Sequence, residues 1–379
     1  MILYGQQIIS EQDKEAVLDV LSSSHLTQGK MVEHFEEKLA NYCSAKYSVS
    51  FTNATSALHS ACLALGVTNG DIVWTSPISF VASANCAIYC GAEIDFVDVE
   101  LATGNMSVDA LEEKLIHAQK IGKLPKVVIP VHLAGQSCDM EKIHALSKCF
   151  GFSIVEDASH AIGGKYQNIP VGACQYSDIT VFSFHPVKII TTGEGGAALT
   201  NSSQLHDKLR KLRSHGIDSN EAMRAEHGPW YYEQGMLGFN YRMTDIQAAL
   251  GTSQLEQIEN FIDKRHQLAS QYDTLLKGSQ YAPLKRQHNT ISSFHLYIVQ
   301  FHDWSLANKK IIVSKLRSQG IQAHVHYIPI YKQPFYQQLG FNSHYCSKAE
   351  NYYQISMTLP MHPALTDKDL NIVTSALLG

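Results

Sequence analysis

Residues 126–158 read KVVIPVHLAGQSCDMEKIHALSKCFGFSIVEDA. Two runs rich in Val and Ile, KVVIPVH and FSIVEDA, flank a helical candidate, DMEKIHALSKCF. The alternation extends in both directions from this unit. Upstream, the β-rich runs YSVSFT (47–52), IVWT (72–75) and EIDFVDV (93–99) are interleaved with TSALHSACLAL (55–65) and SVDALEEKLIHAQK (107–120). In the latter, Leu111, Leu115 and Ala118 recur at helical spacing. Downstream comes DITVFSF (178–184). Strands alternating with helices in this way predict an α/β fold, a mostly parallel sheet covered on both faces. In such sheets ligands collect at the carboxyl ends of the strands, so the residues just after each β run are the first candidates for function.

From about residue 242 to 275 the pattern predicts one long helix leaving this unit. SSFHLYIVQF (292–301), KKIIVSKLRSQG (309–320) and IQAHVHYIPI (321–330) then read as strand, helix and strand, and TDKDLNIVTSALL (366–378) as a final helix. This section predicts a smaller C-terminal α+β domain. The first ~30 residues supply a helix around EQDKEAVLDVLSS and a loop, LTQGK.

The bulk numbers exclude several classes. Of 379 residues, 45% are hydrophobic and 17% charged, enough for a sizeable core and too apolar for wholesale disorder. Thirty basic against 35 acidic residues give a net charge of −5, which offers no basic footprint for nucleic acid. No run approaches ~18 consecutive apolar residues and no secretory signal opens the chain, so a soluble cytoplasmic protein, not a membrane one, is expected. Eight cysteines without a CxxC pair read as reduced and mostly structural. Nineteen histidines include no HExxH. His324 and His326 would share one face of a strand, but two histidines are an incomplete zinc site, so no metal is expected.

Three segments carry candidate chemistry. In TNATSALHSACLAL (52–65) a β run ends at Thr52, and Thr55 and Ser56 open a helix. Free amide hydrogens at a helix start suit a phosphate, although Ser and Thr are preferred as ordinary caps too. In FSIVEDASHAIGG (152–164) Asp157 ends a strand, where an acid can cap a helix, bind a metal or hold a cationic ligand atom, and His160 follows three residues later. In DITVFSFHPVKIITTGEGGAALT (178–200) Lys188 follows a strand and a His-Pro turn. Packing against Phe182, Phe184, Val187 and Ile189 would desolvate its amine and lower its pKa, the requirement for Schiff-base chemistry. Together these are the needs of pyridoxal phosphate: a phosphate cradle from Thr55, Ser56 and Ser183, a carboxylate for the pyridine nitrogen from Asp157, a lysine for the aldehyde, and an aromatic face from Phe80.

In this order the motifs identify a family resemblance over nearly the whole chain. LTQGKMVEHFEEKLANY, TNATSALH, EDASHAIGG, VFSFHPVKIITTGEGG, GFNYRMTDIQAALG and VHYIPIY resemble the DegT/DnrJ/EryC1/StrS sugar aminotransferases, a branch of the fold-type I pyridoxal phosphate enzymes. The resemblance implies a large cofactor domain with its N-terminal segment over residues 1–250, and a connecting helix with the small domain over 251–379. It implies that Lys188 bonds the cofactor's aldehyde and Asp157 pairs with its pyridine nitrogen. His160 would contact the phenolic oxygen and Phe80 would stack on the ring. Ser56, Ser183 and the backbone around Ala57 would hold the phosphate. Asn240 would reach a phosphate across the interface of a homodimer.

The implied reaction takes nitrogen from L-glutamate, carries it as pyridoxamine phosphate, and delivers it to C4 of a nucleotide-linked 4-keto sugar. LTQGK, SPISFVASANCAIYCGA, RSHGI, HGPWYYEQGMLGFNYR, QAHVHYIPIY and AENYYQISMTLPMHPAL are most similar to the pseudaminic acid branch, which implies a UDP-linked 4-keto-6-deoxy-N-acetylamino sugar. Tyr4, Thr27, His326 and Tyr327 match segments that approach the nucleotide sugar there. In VHLAGQSCDM, His132 and Gln136 follow the broad family pattern where that branch often has an acid and a lysine. Lys188 argues against the related sugar 3-dehydratases, which carry His at that position. An intact Lys188, Asp157 and Ser183 argue against a non-catalytic sugar-binding module, and the absence of GxGxxG after the early strands against a dinucleotide-dependent dehydrogenase.

Overall fold

Short strands with apolar side chains on both sides of the pleat are stable only where both faces are covered. Seven of them form one sheet in the structure, a computed structural model that describes residues 1–218, 221–301 and 305–379. They are β1 (Tyr47–Phe51), β2 (Ile72–Thr75), β3 (Glu93–Phe96), β4 (Val127–Ile129), β5 (Ser153–Asp157), β6 (Ile179–Ser183) and β7 (Gly196–Thr200). The order across the sheet is β1-β7-β6-β5-β4-β2-β3. Strands β6, β5, β4, β2 and β3 pair in parallel, and β7 runs antiparallel to both of its neighbours.

The period-2 alternation of each strand splits its residues between two cores. On β6, Ile179 and Val181 join Ala57, Leu58 and Ala61 of the helix Ala54–Ala64, whereas Phe182 joins Phe35 and Leu39 of the helix Lys30–Cys43. The helix Ala54–Ala64 is buried nearly all round because its side chains are small, so it lies close against the sheet. Its N-terminus thereby meets the carboxyl ends of the strands.

Three elements differ from the sequence-based expectation. Strand β7 was not expected, because GAALT follows a glycine-rich loop and carries only one β-branched residue; tertiary pairing with β1 and β6 makes it a strand. The long helix is two helices, Asp245–Glu256 and Ile258–Leu275, separated at Gln257 (φ −102°, ψ 1°). The first packs on the helices Glu11–Leu21 and Lys30–Cys43 and the second on Asp367–Leu378, so the break lets each follow its own partners. IQAHVHYIPI forms no strand: His324 makes a single bridge to Thr358, and the ladder partner of Tyr297–Gln300 is Ser356–Leu359. Four residues directly after a helix are too few for a readable alternation, and this hid that strand.

The N-terminal segment is tied to the C-terminal section. Ile2 donates to Gly320 (2.7 Å), Gln322 to Ile2 (2.9 Å) and Met361 to the Tyr4 carbonyl (3.0 Å), which carries Tyr4 to the same place as His324 and His326. Among the described residues no helix is long and apolar enough to cross a membrane.

Candidate active site

The carboxyl ends of β5 and β6, the start of the helix Ala54–Ala64 and the segment 324–327 enclose a cleft of about 550 Å³. Asp157, the last residue of β5, is 4% exposed and faces this cleft. Its Oδ1 accepts from the Ser159 amide (3.1 Å) and hydroxyl (2.6 Å), and its Oδ2 from the Ser83 hydroxyl (2.6 Å). Ser83 is in turn 2.6 Å from the hydroxyl of Ser79. Three donors on a buried carboxylate satisfy its oxygens and fix the plane in which it points.

Lys188 lies on the loop between β6 and β7. Phe184 closes the loop by donating to Gly195 (2.9 Å) and accepting from Thr192 (3.0 Å), and Ile189 and Ile190 anchor it in the core. Phe182, Phe184 and Ile189 fill the core below the loop, and Val187 lines the cleft beside the lysine. Burial pushes the Lys188 amine down to about 8, against the opposing pull of the Asp157 carboxylate. An amine so placed is partly neutral near physiological pH, when it can act as a nucleophile or a base.

The start of the helix Ala54–Ala64 borders the same cleft. The cap of the helix Ala54–Ala64 is Asn53, not the Thr-Ser pair; its side chain accepts from the Ser56 amide (2.8 Å) and hydroxyl (2.9 Å). Ser56 is thus turned inward, and the Ala57 amide is spent on the Asn53 carbonyl (3.2 Å). Neither Ser56 nor Ala57 lines the cleft, whereas Ala54 and Thr55 do, in the first turn where amide hydrogens lack helical partners. Ser183, the last residue of β6, lines it too. Gly196 makes the approach of β7 to this turn possible: a Cβ there would stand 2.5 Å from the Ala54 nitrogen. Backbone cannot yield as a side-chain tip can. Gly196→Ala should therefore cost ~1–3 kcal/mol of stability, read by chemical denaturation.

The opposite wall is imidazole and phenol. The Ala134 amide donates to His160 Nδ1 (3.3 Å), which leaves the ring proton on Nε2, facing the Tyr327 oxygen at 3.1 Å. Burial, then Lys188 and His326, hold His160 well below the usual histidine range, in agreement with a neutral ring. Tyr327 keeps its phenolic proton, since burial raises it. His326 meets Thr358 Oγ1 at 2.8 Å and packs its ring 5.5 Å from Tyr4 and 4.7 Å from His324. The two histidines thus lie together without a strand. Phe80, 62% exposed, borders the cleft.

Of the residues singled out from sequence, Tyr4, Thr55, Phe80, Asp157, His160, Ser183, Lys188, His326 and Tyr327 line one cleft. Thr27 and Asn240 do not; both are exposed, Thr27 bridged to Thr244 and Asn240 to Ser214. Asn53, Ser79, Ser83 and His295 were missed. Asn is a preferred helix cap, a signal that was available for Asn53; the others depend on contacts distant in sequence. His132 and Gln136 belong to the scaffold. His132 Nε2 meets Glu156 at 2.6 Å, and Gln136 accepts from the Gln287 amide (3.1 Å) and donates to the Lys285 carbonyl (3.1 Å).

The profile of the DegT/DnrJ/EryC1/StrS aminotransferase family matches residues 7–378. The chain belongs to that family. It is similar to the UDP-4-amino-4,6-dideoxy-N-acetyl-beta-L-altrosamine transaminase of Helicobacter pylori, with 37% identity over 99% of this chain and 96% of that one. Among solved structures it resembles Helicobacter pylori PseC, an aminotransferase involved in the biosynthesis of pseudoaminic acid (TM-score 0.92, 36% identity, covering 100% of this chain and 98% of that one). It also resembles Spr1654 from Streptococcus pneumoniae in its PLP form (TM-score 0.90, 29% identity, 100% and 97% covered). This chain is a sugar aminotransferase with the fold of that family.

Proposed function

We propose that the protein binds pyridoxal phosphate and transfers the amino group of L-glutamate to C4 of a UDP-linked 4-keto-6-deoxy-N-acetylamino sugar. The sugar is of the UDP-2-acetamido-2,6-dideoxy-β-L-arabino-hex-4-ulose type, a step towards pseudaminic acid. The observation that carries the reading is the placing of Lys188, its amine pushed down to about 8 by burial, and the Asp157 carboxylate on one cleft. The donor set fits the cofactor: first-turn amides at Ala54 and Thr55 with Ser183 for the phosphate, Asp157 for a protonated ring nitrogen, and exposed Phe80 for the ring face. The names of the full-length relatives support the sugar.

When bound, the cofactor supplies an aldehyde to receive nitrogen and a ring to draw off electrons. Lys188 is the residue that would hold the aldehyde, and its amine, when free, would move a proton to or from C4 of the sugar. Asp157 would keep a proton on the ring nitrogen, and Ser83 and Ser159 keep Asp157 aimed. His160, neutral, donates to Tyr327, and the Tyr327 hydroxyl is left to donate into the cleft. Tyr4, His326 and Tyr327 form the wall against which the sugar rests.

Asn240 completes the site from a second copy of the chain. The exposed apolar residues Trp230 (77%) and Leu237 (79%) on the segment leading to Asn240 support a homodimer through that face. The chain works in the cytoplasm, where its nucleotide sugar would be made.

The test is incubation of the loaded enzyme and glutamate with a panel of UDP- and dTDP-linked 4-keto sugars, with product configuration assigned by NMR. Amination of the UDP-linked sugar named above is expected. Turnover of dTDP-sugars alone would reject that substrate and leave the aminotransferase standing.

A further inference from the structure

His295 has no part in the site described so far, yet it lines the same cleft and is 4% exposed. Its ring lies 4.4 Å from that of His160. Its position is built from two sides. Ser293 donates from its hydroxyl to the His160 carbonyl (2.8 Å) and from its amide to Gly135 (3.1 Å). Buried Arg265 donates to the carbonyls of Phe294 (3.0 Å), His295 (3.2 Å) and Met361 (3.1 Å). A side chain held this firmly at a cleft wall costs little entropy when a ligand meets it.

The ring's polar atoms say what it can meet. Nδ1 is a buried atom without a hydrogen-bond partner. A bare lone pair is tolerated there more readily than a stranded N–H, so the proton belongs on Nε2, the nitrogen left to meet a ligand. The surroundings forbid a second proton: burial, then His160, Lys188, Arg265 and His326, hold His295 well below the usual histidine range. The group is therefore a neutral N–H donor. A glutamate carboxylate calls for a cation or a fork of donors; a neutral donor suits a hydroxyl or an amide carbonyl, and of the two substrates only the sugar carries those.

We propose that His295 is a further substrate-binding residue, donating from Nε2 to a neutral oxygen of the sugar and taking no part in binding glutamate. The assignment rests on the sugar aminotransferase reading of the cleft. It adds a donor from the segment after Ser292 to the wall formed by Tyr4, His326 and Tyr327.

The two half-reactions separate the possibilities. Enzyme loaded with pyridoxal phosphate is mixed first with glutamate, following loss of its yellow colour. The amino form is then mixed with UDP-2-acetamido-2,6-dideoxy-β-L-arabino-hex-4-ulose, following the colour's return. His295→Ala should raise the half-saturating sugar concentration roughly five- to tenfold and leave the glutamate half-reaction within about twofold of the native rate. His295→Gln, whose amide nitrogen reaches the place of Nε2, should stay near the native value. His295→Asn, which reaches only the place of Nδ1, should behave as the alanine variant does. The Gln–Asn comparison holds even where the alanine variant folds poorly. Native sugar saturation in all three variants, an equal loss in the glutamate half-reaction, or rescue by Asn in place of Gln would each overturn the assignment. Failure of the underlying reading shows elsewhere, as native enzyme that glutamate does not bleach or that never regains colour with the sugar.

Discussion

Lys188→Ala should lower transamination turnover by at least roughly 10⁴-fold, and should remove the covalent cofactor adduct that borohydride is expected to trap in the native enzyme. Two functions disappear with one side chain. Among the described residues it is the only lysine lining the cleft, and in the proposed reaction it would also be the base that moves the proton. Neighbouring imidazoles do not replace it, because burial holds His160, His295 and His326 well below the usual histidine range, which leaves them too weakly basic to take up that proton. Surviving activity with a trapped adduct at another residue would sink the assignment.

The same lysine sets a pH dependence of stability in the cofactor-free protein. Its amine is lowered from 10.5 to about 8 on folding. Between those values the unfolded chain binds more protons than the folded one, so stability rises with pH across that window. Below about 8 both states are charged and the burial cost is present in full. Lys188→Met removes the cost. Cofactor-free Lys188→Met should be more stable than native protein at pH 7, and the difference should shrink as pH climbs towards 10.5. Urea melts at both ends of the window check it. A variant less stable than native at pH 7 would show that the amine is not a desolvated charge.

Asp157, Ser183 and Lys188 were legible because each follows an apolar strand run, and their chemistry depends on that position and on their own type. The cleft wall was legible in part. Tyr4 and His326 stood out through the family pattern, but what joins them is the pairing of residues 2–4 with 320–322 and 361, which no local pattern shows. Ser83 was opaque for the same reason: a serine inside SFVASAN looks like any small buried residue until the fold brings Asp157, 74 positions away, within 2.6 Å. Strand β7 and the strand Ser356–Leu359 were hidden because pairing partners, not intrinsic propensity, make them strands. The break at Gln257 was invisible because both halves keep helical periodicity, and only their different packing partners separate them.

Asp157→Asn should lower turnover by about 10²–10³-fold and weaken cofactor binding roughly 10- to 150-fold, the range expected when a charge-assisted hydrogen bond is lost. The direction follows from the carboxylate's partners. The Ser159 amide can only donate, so the asparagine oxygen must remain on that side. The new amide nitrogen then occupies the place of Oδ2, beside Ser83, which can rotate its hydroxyl to accept. A pyridine nitrogen held by Asp157 would meet a neutral amide in place of a carboxylate. It would then keep its proton less readily, and the ring would supply less of the positive charge that draws off electrons. Size and packing hardly change, so the fold should survive with a melting temperature near that of the native enzyme. Ser83→Ala supplies the graded control: it removes one donor and leaves the charge, so its loss of affinity should be only severalfold. Cofactor titration by fluorescence, with single-turnover rates for glutamate, measures both effects. Native affinity and rate in Asp157→Asn would mean that the ring nitrogen is held elsewhere. A Ser83→Ala loss as large as that of Asp157→Asn would mean that the serine, not the carboxylate charge, sets the geometry.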